Sequence, residues 1–206
     1  MLFGEYAVLL GAPALAIPFE GYRGTFVHGS NSSDIKAYIE YLIEEHRNNT
    51  SFDFLNTAQL EEDLSAGIDF DSNIPQGYGL GSSGALCAAI LHHYGLQSRK
   101  DSVALIHKRL KTLEHYFHGE SSGLDPLVSY YNRPVVRTKD GSFEVLENIS
   151  WNSSSKLWLL NLGRSRQTRP LVDWFMYQMD NPSFRQSLKE QYVPLVSALC
   201  NELIKS

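Results

Sequence analysis

From Asp34 to His46 the apolar residues Ile35, Tyr38, Ile39 and Leu42 return at helical spacing, which predicts a helix with one face on a core. The same period runs from Val103 to Phe117 through Ile106, Leu110 and Leu113, behind Asp101 or Ser102 as N-cap. Gly119 should end that helix. Leu55 to Leu64 reads as another, and the run Ala85 to Leu91 as a further one opening on the serines at 82 and 83. Two strands are predicted, Tyr22 to His28 and Gly67 to Asn73. Pro134 to Thr138 and Ser142 to Leu146 form a hairpin pattern around Asp140-Gly141. Lys156 to Asn161 is read as an apolar strand after a polar junction, Asn152 to Ser155. Helices from Leu171 to Met179 and from Phe184 to Ile204 follow, with a kink or break expected at Pro194.

Composition narrows the classes. A chain of 206 residues, 43% hydrophobic and 20% charged, can bury a sizeable core in one or two domains. A net charge of −5 argues against a general surface for nucleic acid or anionic membrane, while leaving room for a local phosphate site. No apolar run reaches the roughly 18 residues that a membrane span needs. Met1-Leu2-Phe3 leads at once into Gly4-Glu5, so no signal peptide is expected. Cys87 and Cys200 read as reduced, buried thiols, and the expected location is cytoplasmic.

The chemistry concentrates in Gly77-Tyr78-Gly79-Leu80-Gly81-Ser82-Ser83-Gly84, which follows Pro75. Glycines at alternate positions free the backbone for close approach to a ligand. The first turn of the next helix adds unpaired amides and the positive end of a dipole, so the segment is a candidate cradle for phosphate. Read alone, such a loop is as often an ordinary turn.

A second constellation runs from Glu114 to Pro126. Glu114 lies one residue past Leu113, on the flank of the apolar face, where a carboxylate can point into a cleft. Asp125 follows Ser121-Ser122-Gly123 and precedes Pro126, at or near a helix start. Singly, Asp125 reads as an N-cap and Glu114 as a solvated helix charge. Beside the glycine loop, two acids and a hydroxyl are what Mg²⁺-assisted phosphoryl transfer requires. The histidines at 92, 93, 107, 115 and 118 invite a zinc reading, but no second cluster at ligand spacing supports it, and surface or cleft-edge roles fit them better.

Three segments, taken in order and spacing, resemble the GHMP kinases: Gly4-Glu5-Tyr6-Ala7-Val8-Leu9 with Gly11, Pro75 to Ala85, and Glu114 with His118-Gly119 and Ser122-Gly123-Leu124-Asp125. Within that superfamily the Glu-to-Asp pattern, and the segment Asn161 to Thr168, are most similar to the mevalonate kinase branch. The resemblance implies an α+β fold in two lobes. Residues 1–155 would form the ATP-binding N-terminal domain, ribosomal protein S5 domain 2-like, with a mixed sheet backed by the helices that start at Ser82 and Val103. Residues 156–206 would form part of a ferredoxin-like C-terminal domain.

The same resemblance implies roles. Pro75, Gly77, Tyr78, Gly79, Leu80, Gly81, Ser82, Ser83 and Gly84 would hold ATP, and Ser83 and Glu114 would hold Mg²⁺. Asp125 would be the catalytic acid that accepts or orients the proton of the attacking hydroxyl. Glu5, Tyr6, His118, Gly119, Ser122 and Thr168 would face the acceptor, expected to be (R)-mevalonate. Gly84 stands where the family usually has Ala, a change expected to cost helix propensity and add no clash. The family's Lys before Gly-Glu would precede Met1, and its late glycine-rich signature would follow Ser206. The chain is therefore expected to be an internal piece, or an unusually short relative, of a mevalonate kinase-like protein. Another GHMP kinase, a catalytically silent nucleotide-binding domain, and a homodimer all stay open.

Overall fold

The computed structural model describes residues 1–29, 33–96, 101–119, 121–150, 156–161, 163 and 168–204. A 3-10 turn, Ala7–Leu10, precedes strands β1 (Ala14–Ala16) and β2 (Gly24–His28). Helices α1 (Ser33–Asn48) and α2 (Thr57–Ser65) lead to β3 (Ile68–Ser72). Then come α3 (Ser82–Tyr94), α4 (Val103–His118), α5 (Leu124–Tyr131), β4 (Val135–Arg137) and β5 (Phe143–Val145). Helices α6 (Thr168–Gln178), α7 (Pro182–Ser187) and α8 (Val193–Ile204) follow, with a π-helical turn, Leu188–Tyr192, between the last two. Helices and small sheets together make the α+β class that the resemblance implied.

By contacts the chain falls into two units. The first comprises Met1–Pro18, Pro75–Leu80 and Asn132–Ser206, and the second Phe19–Ile74 and Gly81–Tyr131. The junction expected at residues 152–155 lies outside the described residues.

In the first unit β1, β4 and β5 form an antiparallel sheet in that order, with Leu15 opposite Val136 and Val136 opposite Glu144. Ala7, Ala12, Leu15 and Val136 pack with Val196 and Cys200 of α8 as a small core. The hairpin around Asp140-Gly141 forms as expected, its turn tied by Thr138 and Ser142 to the Asp140 carboxylate. Pro194 breaks the closing helix, because it has no N–H for the Glu190 carbonyl. The Val193 amide instead donates to the Leu188 carbonyl, which makes the π-helical turn.

In the second unit β2 and β3 pair antiparallel from Gly24 opposite Ser72 to His28 opposite Ile68. The apolar stripes meet as predicted: Tyr38, Ile39 and Leu42 of α1, Cys87, Ile90 and Leu91 of α3, and Leu110 and Leu113 of α4 are buried. The Tyr38 hydroxyl donates to the Leu113 carbonyl at 3.0 Å, pinning α4 one residue before Glu114.

Two expectations need correction. Among the described residues both sheets are antiparallel, not one mixed sheet, and the helices starting at Ser82 and Val103 share a unit with β2 and β3. Lys156 to Asn161 makes no strand pairing among those residues, and Trp158 is 85% exposed. An unbroken apolar run meets the length of a buried strand but does not supply its partner.

Candidate active site

Gly81 caps α3 at φ 72° and ψ 35°, so Ser82 and Ser83 fall inside the first turn and neither is the N-cap that was expected. An L residue would be strained at that backbone angle. A glycine cap offers no side-chain acceptor, which leaves the first-turn amides and the positive helix end available to an anion.

Released from capping, the Ser83 hydroxyl turns to α4. Its Oγ lies 3.4 Å from Glu114 Oε1 and 3.0 Å from His118 Nε2. Glu114 is 4% exposed, which rules out the solvated reading of this acid. Its other oxygen, Oε2, accepts a hydrogen bond from Ser121 Oγ. Burial pushes the Glu114 carboxyl up to about 7, with the Asp125 charge adding to the rise and the Ser121 and Ser83 hydroxyls opposing it.

Asp125 is the second residue of α5 and not its cap. The Leu127 amide reaches back to the Gly123 carbonyl at 3.2 Å, and Ser122 Oγ accepts the Leu124 amide at 3.3 Å. The carboxylate lies against the start of α3: a β-carbon on Gly81 would stand 3.5 Å from Asp125 Cβ and 4.0 Å from Oδ2. One helix end open to anions, one acid beside it, and a buried glutamate bonded by half-buried serines thus share the second unit.

Residues 29–133, slightly more than half of the chain, match the family model of the GHMP kinases N terminal domain. The chain belongs to the GHMP kinases. It is 31% identical over 185 residues to a mevalonate kinase of Pyrococcus horikoshii, across 71% of this chain and 50% of that protein. The chain spans about half the length of the curated relative it matches.

In this GHMP kinase chain the second unit brings together Gly81, Ser82, Ser83, Gly84, Glu114, His118, Gly119, Ser122 and Asp125. Pro75, Gly77, Tyr78, Gly79 and Leu80 belong to the first unit, with Gly77 and Gly79 also at positive φ. Glu5 and Tyr6 lie in the first unit as well and outside the family match. Tyr6 is held at φ 63° and stacks on Phe175 with centroids 4.8 Å apart, while Tyr192 donates to the Glu5 carbonyl at 3.3 Å. Thr168 opens α6, and its side chain lies outside the described residues, as does the 164–167 segment before it.

Two roles are not legible in the sequence. Ser121 bonds Glu114, a partnership that a Ser-Ser-Gly turn does not announce. Gly84 is expected from sequence to cost helix propensity relative to Ala, yet a β-carbon there would meet the Pro126 nitrogen at 2.8 Å.

Proposed function

We propose that this chain carries the phosphate- and Mg²⁺-binding part of an ATP-dependent small-molecule kinase, with (R)-mevalonate as acceptor and 5-phosphomevalonate as product. The observation that carries the reading is the Asp125 carboxylate beside the glycine cap of α3. A proton acceptor next to an anion-binding helix end is the arrangement that phosphoryl transfer to an alcohol needs. The similarity to a mevalonate kinase supports the choice of acceptor.

The α3 amides would hold phosphate oxygens, with the glycine cap allowing the ligand to come close. Asp125 would orient the acceptor hydroxyl and take its proton as the oxygen bonds to the γ-phosphorus and the bond to ADP breaks. Ser83 and Glu114 offer the hard oxygens that Mg²⁺ takes when phosphates and water complete its shell. Among the described residues no group of three His, Cys, Asp or Glu is arranged to hold a metal, so nucleotide phosphates and water would have to complete the shell. When bound, Mg²⁺ supplies charge neutralisation on the β- and γ-phosphates. The remaining acceleration comes from positioning and from fixed dipoles.

The test is a coupled ADP-release assay with ATP and Mg²⁺ over mevalonate, phosphomevalonate, homoserine and galactose, paired with calorimetric ATP titration. Mevalonate-dependent ADP release is expected. Release with another acceptor would move the substrate, and ATP binding without release would leave a nucleotide-binding module.

A further inference from the structure

We propose that Ser121 is a positioning residue: its one hydroxyl ties the Glu114 carboxylate to the turn that carries Asp125, so the metal-binding acid and the proton acceptor are set together. The inference rests on the kinase reading for the roles of those two acids, but the tie itself is a matter of geometry.

The Ser121 hydroxyl is used twice. Its proton goes to Glu114 Oε2, and a lone pair accepts the Gly123 amide at 2.9 Å. Accepting an amide two residues on is what any serine does at a turn. Donating to a buried carboxylate is not part of that local habit, and it decides which Glu114 oxygen is used up. Oε2 is engaged, and Oε1 is left facing Ser83.

The turn is also seated on α4 from its other end. His107 Nε2 lies 2.8 Å from the Ser122 carbonyl oxygen. A β-carbon on Gly123, whose φ is 70°, would meet that same nitrogen at 2.6 Å and Lys111 Cβ at 3.5 Å. His107, Lys111 and Glu114 fall on one stripe of the helix, so α4 acts as a rail along which residues 121–123 are laid. Asp125 begins α5 two residues later. With His107 holding one end, the Ser121–Glu114 bond sets where the other end lies. A metal ion drawing on Glu114 therefore draws on the Asp125 turn as well.

The experiment compares the unaltered chain with Ser121→Ala and Ser121→Thr, using a non-hydrolysable ATP analogue. Calorimetry at stepped Mg²⁺ reads metal-dependent nucleotide binding, and amide hydrogen exchange at Gly123 reads the turn. Exchange should also quicken in Glu114→Met, which keeps the Ser121 acceptor and removes only the carboxylate, and unchanged exchange there overturns the tie. Ser121→Ala is expected to raise the Mg²⁺ needed for half-maximal binding about tenfold and to speed Gly123 exchange by a similar factor. Ser121→Thr keeps the hydroxyl and should restore both. Unchanged Gly123 exchange in Ser121→Ala, or a Thr variant that behaves like Ala, overturns the proposal. So does a Mg²⁺ dependence that stays put while the unaltered chain binds the nucleotide. If the unaltered chain binds no nucleotide at any Mg²⁺ level, the kinase reading falls instead, and the exchange rates alone decide the tie.

Discussion

Gly84 of α3 faces the backbone of Pro126 in α5 so closely that a methyl group there would stand 2.8 Å from the Pro126 nitrogen and 3.0 Å from the Asp125 carbonyl carbon. The two residues suit each other. Glycine has no β-carbon to intrude, and proline has no N–H to be buried unpaired against the neighbouring helix. Their contact sets how near Asp125 comes to the glycine-capped start of α3. Ala normally favours a helix over Gly by about 1 kcal/mol. Here the obstacle is backbone, which cannot swing aside as a side chain would. Gly84→Ala should therefore destabilise by about 1–3 kcal/mol and lower turnover. Urea unfolding and kcat on the same variant check it, and a variant more stable than its parent would refute the close contact.

Asp125→Asn keeps the shape and loses the charge. Turnover should fall by about 10²–10⁴-fold, with ATP affinity and Tm nearly unchanged. Because Asp125 lies inside the first turn of α5, removing its charge should cost stability only a few tenths of a kcal/mol through the helix dipole. Turnover within a factor of two of the parent would take the proton-accepting role away from this residue.

Gly81→Val brings strain and bulk to one place. The left-handed cap disfavours a β-branched residue, and the new side chain would point at the Asp125 carboxylate. ATP binding should be lost while far-UV circular dichroism keeps its helical signal. Undiminished ATP affinity would mean that the nucleotide does not approach the start of α3.

Glu114 makes stability depend on pH in an unusual direction. In the metal-free folded chain its carboxyl is pushed up to about 7 by burial, whereas the unfolded chain ionises it near the ordinary 4.5. Between those values the folded state binds more protons, so stability is full below about pH 4.5 and falls as pH rises through 7. The span corresponds to about 3 kcal/mol. Glu114→Gln should flatten this slope in EDTA and be the more stable protein at pH 8. If Glu114 holds Mg²⁺ as proposed, the variant should also need more Mg²⁺ to bind nucleotide, because it lacks the carboxylate charge. Urea titrations at pH 5 and pH 8 separate the outcomes; parallel losses in both proteins would place the slope elsewhere.

Helices with a clear period and clear ends were legible in advance. Ser102 caps α4 by accepting the Leu105 amide, and Gly119 closes it, both local signals that the pattern contains. The acids of the site were legible as residue types in a motif. Their states were not, because burial of Glu114 depends on α1, α3 and the Ser121 turn closing around it. Glycine at 84 carried no visible reason either, since the residue that demands it lies on another helix. The serines at 82 and 83 misled for the opposite cause. Local propensity favours a serine cap, but the left-handed glycine before them moved the cap back by one and freed Ser83 for Glu114.

A π-helical turn holds one residue more than the α-helical path would, so Leu188–Tyr192 rotates everything after it by about 100° relative to α7. α8 buries Val196 and Cys200 in that rotated phase, against Ala7, Leu15 and Val136. Loss of a single codon within the turn would rewind the helix evenly and swing both side chains away from the sheet. A point substitution at exposed Lys189 or Gln191 would leave the winding alone. Over generations this stretch should tolerate changes of spelling far better than changes of length.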